Sequence, residues 1–269
     1  MKKRIKIAFV GCGNMARAMI ESMTNPVSAD VLRRNGKLFE ITAIDKDEAA
    51  LRKADGYCSV TRDGASAVRD CAYVVIAVKP QDAEAALSAL DLSDKTVISI
   101  MAGVSVGVLE ELTGAKKIVR VMPNLCARVG ESYNAYCAIG IDEEEMETVV
   151  EILGSFGVPH IVDERELDGV TGLTGSSPAY IFMTIKALID EGIAQGFDAG
   201  AAKEMAVQAV IGSALTAERE SDVEGLIASV CSKGGATAAG VKLLEERGFC
   251  DALRAAVRAS IERSKELMR

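Results

Sequence analysis

Two short glycine-rich stretches carry the residue types and spacing best suited to chemistry. Gly11-Cys12-Gly13-Asn14-Met15-Ala16 spells G-x-G-x-x-A directly after an apolar run. In that position Gly11 permits a tight turn, Gly13 leaves space for a pyrophosphate, and Ala16 lets a helix close on a sheet. The first amides of that helix, with its dipole, attract the diphosphate of a dinucleotide. A glycine-rich turn that binds nothing is the alternative. The second stretch is Gly234-Gly235-Ala236-Thr237, beside Lys233. Two glycines before a helix again present free amides, which suit a carboxylate, and the Thr237 hydroxyl can meet a nearby nitrogen. Equally, Gly234-Gly235 only joins two helices and Thr237 caps the second. The residues alone leave both readings open.

Coenzyme choice rests on Asp45 and Lys46, which follow the second apolar run. Asp45 can accept from a ribose 2′-hydroxyl, favouring NAD, whereas Lys46 can neutralise the 2′-phosphate of NADP. Asp45 can also be no more than a cap for a helix beginning near Asp47. NADPH and NADH both stay open.

Other chemistries are poorly supplied. There is one histidine, His160, among 269 residues, and no tryptophan. One imidazole builds no multi-histidine metal site, so no metal is expected. Aromatics at 4% and a formal charge of −8 argue against a nucleic-acid partner. His160 follows Pro159 near the expected domain boundary, where a surface or satisfied polar role is expected. The seven cysteines are scattered without a C-x-x-C pair. They read as small buried apolar residues in a reducing compartment. The basic start, Met1 to Arg4, leads into an apolar run too short for a signal sequence, and no stretch is long enough to span a bilayer. A cytoplasmic protein without a membrane partner is expected.

The elements that must position these residues fall into two halves. Expected strands are 5–10, 39–44, 73–78, 96–101, 117–122 and 133–139, several of them unbroken Val/Ile/Ala runs. Such runs suit strands buried on both faces. With helical stretches at 14–23, 82–90 and 105–112 between them, they predict an α/β, doubly wound parallel sheet of Rossmann type over residues 1–163. Residues 164–269 read as all-helical. Ser177-Pro178 resembles an N-cap with a first-turn proline, opening a helix to about 195. Further helices are expected at 199–218, 222–230, 236–246 and 251–268. The second of these five helices is apolar around most of its circumference, so a second subunit is expected to cover it. The chain is thus expected to form a homodimer through this half, with a higher oligomer open.

Six segments together resemble the pyrroline-5-carboxylate reductases, across essentially the whole chain. They are IAFVGCGNMA (7–16), VIAVKPQ (75–81), SIMAGVS (99–105), VRVMPN (119–124), TGLTGSSPAY (171–180) and CSKGGATAAG (231–240). The last two, in this order and at this separation, are the most specific. The resemblance implies a Rossmann domain, a helical dimerisation domain, and reduction of 1-pyrroline-5-carboxylate to L-proline by NADPH or NADH. It implies coenzyme contacts along 11–16, with Ala77, Val78, Lys79 and Pro80 reaching the nicotinamide-side ribose and Asn124 in the same set. It also implies that Ser232, Gly234, Gly235, Ala236 and Thr237 form the substrate site. Backbone amides of Gly235, Ala236 and Thr237 would hold the carboxylate, with the Thr237 hydroxyl near the ring nitrogen as the catalytic group.

The sequence departs from that family at three places. Lys233 stands where S-P-G-G has proline, Leu125-Cys126 replaces the end of M-P-N-T-P, and Lys186 occupies an acidic helix position. Lys186 also suggests a second enzyme class, β-hydroxyacid dehydrogenases with a catalytic lysine on the first long helix of the second domain. The flanking pattern of that class is missing. A dinucleotide-binding protein without catalysis is the non-enzyme reading, and the intact 234–237 stretch argues against it. Reduction of a protonated cyclic imine needs orientation and exclusion of water more than an acid–base residue, which suits a chain with one histidine.

Overall fold

The computed structural model describes residues 4–24 and 39–267. Its apolar runs become the strands of one sheet: β1 (Ile5–Val10), β2 (Phe39–Ile44), β3 (Ser59–Thr61), β4 (Tyr73–Ile76), β5 (Thr96–Ser99), β6 (Lys117–Met122), β7 (Ser132–Ile139) and β8 (Gly157–Ile161). Among the described residues the strand order is β3-β2-β1-β4-β5-β6-β7-β8. The order reverses beside β1, which places a crevice at the carboxyl ends of β1 and β4. The first six strands pair in parallel, whereas β7 runs antiparallel to β6 and β8 parallel to β7. The doubly wound parallel sheet expected from the sequence is present through β6, and β7 adds one antiparallel pairing to it. Only residues 123–131, which include the short turn 125–129, separate β6 from β7, too little chain for a crossover helix.

Alternate residues of each central strand enter two cores. Ile7, Phe9, Val75, Ile98 and Val119 pack on one face with Met19, Leu153 and Phe156. Ala8, Val10, Val74, Ile76 and Ile118 pack on the other with Leu87 and Leu109. Burial on both faces explains why those strands read as continuous apolar runs. The covering helices are α1 (Asn14–Thr24), α2 (Glu48–Ala54), α3 (Gly64–Arg69), α4 (Ala83–Leu87), α5 (Val106–Thr113) and α6 (Glu143–Gly154). Arg120 of β6 is 2% exposed and donates to Glu164 Oε1 at 2.9 Å. The same oxygen accepts the Val106 amide at 2.8 Å, so one carboxylate serves a buried cation and a helix start.

Past the 164–166 turn come α7 (Leu167–Val170) and a π-helical turn (Thr171–Gly175), then α8 (Ser177–Ala194), α9 (Ala199–Arg219), α10 (Val223–Val230), α11 (Ala236–Glu246) and α12 (Phe249–Leu267). Ser177 proves to be the first helical residue, with the cap at Ser176 and Pro178 in the first turn. The π turn delivers Ser176 already in helical geometry, so no extended cap precedes the helix. Two compact units result, residues 1–175 with 260–269, and residues 176–259.

In the second unit α8 has no buried residue, and α9 buries only Ala202 and Ala206. Ile181, Phe182, Met183, Met205, Ile211 and Leu215 are all exposed large apolar residues. Gly192 permits the close approach of the two helices, since a Cβ there would lie 3.0 Å from Ala202 Cβ. No helix among the described residues is long and apolar enough to cross a membrane.

Candidate active site

The glycine turn lies where the switch in strand order puts it. Val10 leads into Gly11, whose amide donates to Ile44 O at 2.8 Å while the Ala77 amide donates to Val10 O at 2.8 Å. Gly11 has φ +97, and a Cβ there would lie 2.8 Å from backbone atoms of Ala77 and Val78. Only glycine fits between the two strand ends. A Cβ on Gly13 would meet nothing within 4 Å, so the space above the start of α1 is open. Ala16 is 1% exposed and closes α1 onto the sheet. Asn14 is exposed and holds Arg17 at 2.6 Å, while Met15 packs against the core.

A cleft of about 620 Å³ adjoins this turn, lined in part by Gly11, Gly13, Asp45, Lys46, Ala77, Val78 and Lys79. Pro80 opens a short 3-10 turn after Lys79. Open space over Gly13, a helix start behind it and a cleft of this size fit a dinucleotide's pyrophosphate and the groups on either side of it.

Asp45 takes a role that the sequence reading did not weigh. Its Oδ2 accepts the Cys12 amide at 2.7 Å and its Oδ1 the Asp47 amide at 2.9 Å. The carboxylate therefore ties the glycine turn to the end of β2. The α2 cap is Asp47, which accepts from the Ala49 amide. Lys46 points to Asp82 at 3.7 Å and is 85% exposed. Arg62, which sequence reasoning missed, also lines the cleft. Burial, helped by the Asp45 carboxylate, pushes the Cys12 thiol up, so it stays neutral beside an anion.

Asn124 is 6% exposed and occupied within the protein. Its Oδ1 accepts the Cys126 amide at 2.9 Å, and its Nδ2 donates to Thr174 O at 3.1 Å. It joins the carboxyl end of β6 to the π turn, so any part it takes in coenzyme binding uses the amide hydrogen left over.

The second glycine stretch is a tight turn at the start of α11. Gly234 has φ +73, and a Cβ on Gly235 would lie 2.4 Å from Ser232 Oγ. The Gly235 amide, expected among the carboxylate donors, is spent inside the turn on Ser232 O at 2.9 Å. Gly235 is itself the helix cap, so the capping role considered for Thr237 is corrected. The amides of Ala236 and Thr237 start the helix and have no intrahelical acceptor. Thr237 and Lys233 are exposed.

His160 lies in β8, not in a boundary loop, and stacks on Tyr133 with ring centroids 4.1 Å apart. Lys186 pairs with Asp190 at 2.5 Å on an exposed face of α8. Of the seven free cysteines only Cys12 and Cys71 are buried, and Cys250 is exposed. The expectation that all of them are buried packing residues is thus corrected, because the helices carrying Cys250 and its neighbours keep most side chains exposed.

A glycine cleft at the switch point of a Rossmann sheet defines a dinucleotide-binding protein. Residues 164–267 match the family model described as pyrroline-5-carboxylate reductase dimerisation, and residues 6–103 match that described as NADP oxidoreductase, coenzyme F420-dependent. The chain belongs to the pyrroline-5-carboxylate reductase family. It is 35% identical to the pyrroline-5-carboxylate reductase of Aquifex aeolicus, over 98% of this chain and 97% of that one. The Arabidopsis thaliana pyrroline-5-carboxylate reductase is 34% identical over 97% and 95%. A crystal structure of the Plasmodium falciparum pyrroline carboxylate reductase with NADP bound matches with a TM-score of 0.86 at 30% identity, covering 98% of each chain.

Proposed function

We propose that this chain reduces 1-pyrroline-5-carboxylate to L-proline with NADPH or NADH, as the last step of proline biosynthesis. The observation that carries the reading is that the family match covers both the glycine cleft and the helical residues bearing the 232–237 turn. The functional division is placed after Asp163, with residues 1–163 for the dinucleotide and 164–269 for dimerisation and substrate. Free cysteines throughout the chain support a cytoplasmic setting.

The bound reduced nicotinamide supplies the hydride, and the protein's part is to hold and orient. Gly11, Gly13 and the α1 start, including Asn14, Met15 and Ala16, receive the pyrophosphate. Ala77, Val78, Lys79 and Pro80 flank the nicotinamide-side ribose, and Asn124 stiffens the adjoining strand end. Asp45 and Lys46 border the adenosine side. Ala236 and Thr237 offer amides to the substrate carboxylate, while Ser232, Gly234 and Gly235 shape the turn. The Thr237 hydroxyl sits against the ring nitrogen and holds its proton in place as the C=N bond takes up hydride. His160 of β8, stacked on Tyr133 of β7, is assigned no part in this scheme.

A homodimer forms through α8 and α9, supported by their uncovered apolar side chains. The test is a coupled assay on the purified protein. Oxidation of NADPH or NADH only when pyrroline-5-carboxylate is added is the expected result. No turnover with either coenzyme refutes the reading.

A further inference from the structure

Strand register puts two cations, Lys46 and Arg62, on the lining of the dinucleotide cleft. β2 and β3 run parallel with Ile44 opposite Thr61. The residues that leave those strands, Asp45-Lys46 and Arg62, therefore emerge side by side, and all three line the cleft.

The charges there divide into two kinds. Two of the acids are committed inside the protein. Asp45 accepts the amides of Cys12 and Asp47, and Asp63 accepts the Ser66 amide as cap of α3, whereas Asp82 shares a loose, exposed pair with Lys46. The cations are loosely held. Lys46 lies 3.7 Å from Asp82, and Arg62, 65% exposed, lies 3.5 Å from Glu48. Exposed pairs at such separations contribute little and yield to a stronger anion. A phosphate monoester carries close to two negative charges at neutral pH, with three acceptor oxygens. A guanidinium matches it with parallel N–H donors, which an ammonium cannot do.

We propose that Arg62, assisted by Lys46, selects the coenzyme by gripping the 2′-phosphate that distinguishes NADPH from NADH, while Asp45 anchors the glycine turn and does not read the ribose. The assignment rests on the dinucleotide reading above and adds a residue to it. Arg62 reaches the adenosine side from β3, a strand whose only other contribution to the cleft is to end there. Lys46 supplies the second charge from β2. NADPH is then the preferred coenzyme, and NADH is bound through the pyrophosphate contacts that both share.

Calorimetric titration of the full-length protein with adenosine 2′,5′-bisphosphate and with adenosine 5′-monophosphate, which lacks only the 2′-phosphate, reads that group without turnover. The wild type is expected to bind the bisphosphate more tightly than the monophosphate. Arg62→Ala reduces that affinity ratio roughly tenfold, the usual order for losing a charge-assisted contact at an accessible site. Arg62→Lys, which keeps the charge and loses the fork, falls between. The NADPH-to-NADH ratio of kcat/KM follows the same order. Equal binding of the two nucleotides by the wild type, or a ratio unmoved by Arg62→Ala, overturns the proposal. If pyrroline-5-carboxylate is still reduced in that case, only the Arg62 assignment fails. If neither nucleotide binds and no coenzyme is oxidised, the dinucleotide reading fails and takes the assignment with it.

Discussion

Gly11 and Gly13 stand two residues apart and fail in different ways when each is given a methyl group. At Gly11 the methyl carbon would sit 2.8 Å from Ala77 C and Val78 N, with φ at +97. Those atoms are backbone, and the Ala77 amide is hydrogen-bonded to Val10 O, so neither can move aside cheaply. A left-handed φ costs an L residue about 1–3 kcal/mol, and overpacking adds about 1–3 kcal/mol more. Gly11→Ala should therefore lose about 2–6 kcal/mol, a large part of the ordinary stability of about 5–15 kcal/mol. Gly13→Ala adds its methyl into space where nothing lies within 4 Å. Its stability should stay within about 1 kcal/mol of wild type, as for a tolerated glycine replacement. The methyl then occupies the pyrophosphate's space, and coenzyme affinity falls on the order of 10- to 100-fold. Urea unfolding followed by circular dichroism measures the first effect, and titration of NADPH fluorescence the second. Matching unfolding midpoints for the two variants, or wild-type coenzyme affinity in Gly13→Ala, would refute the reasoning.

Three further outcomes follow from the same geometry. Phe182 is 52% exposed, so covering it removes roughly 100 Å² of ring from water, about 2.5 kcal/mol in each of two symmetric copies. Phe182→Glu should give monomers by analytical ultracentrifugation, and an unchanged dimer would place the interface elsewhere. Thr237→Ala should lower kcat with coenzyme affinity held, as read by stopped-flow and fluorescence titration; an unchanged kcat removes its proposed role. Burial pushes the Cys58 thiol up to about 11. The folded state thus favours the protonated thiol, a contribution fully present below about pH 9 and lost as pH rises through about 11. Wild type should lose on the order of 1–2 kcal/mol more than Cys58→Ala between pH 8 and 11 in urea titrations. Parallel losses would show that the thiol is not so buried.

Much of the sheet was readable because buried parallel strands write themselves as apolar runs, and β1, β2 and β6 begin and end where those runs do. The strands that escaped notice lack that signature. β3 has three residues, and β8 contains Gly157 and Pro159. Missing β3 hid Arg62, whose place beside Lys46 depends on register between segments 16 residues apart and on nothing local. Helix α6 is capped by Asp142, with Glu143, Glu144 and Glu145 in its first turn, and those charges mask the apolar stripe of Val149, Ile152 and Leu153 in the sequence. The two glycine stretches were visible as helix starts. Which amides remain available was not, since Gly235 and Cys12 turn theirs inward to partners that only the folded turn supplies.

Pro159 has a consequence for how the sheet ends. The Val162 amide donates to Tyr136 O on β7, so by the two-residue alternation of a strand His160 and Val158 also face inward. Pro159 then stands at a position whose amide would face away from the sheet, and it has none to offer. A neighbouring chain seeking to extend the ladder along β8 meets a gap in the donor row. At the far side β3 offers three residues, too short a template for stable addition. A chain that displays so much apolar surface on α8 and α9 before it finds its partner is thus directed toward helix pairing. Among the described residues, neither edge of its sheet offers a long unbroken row of donors for strand-by-strand growth.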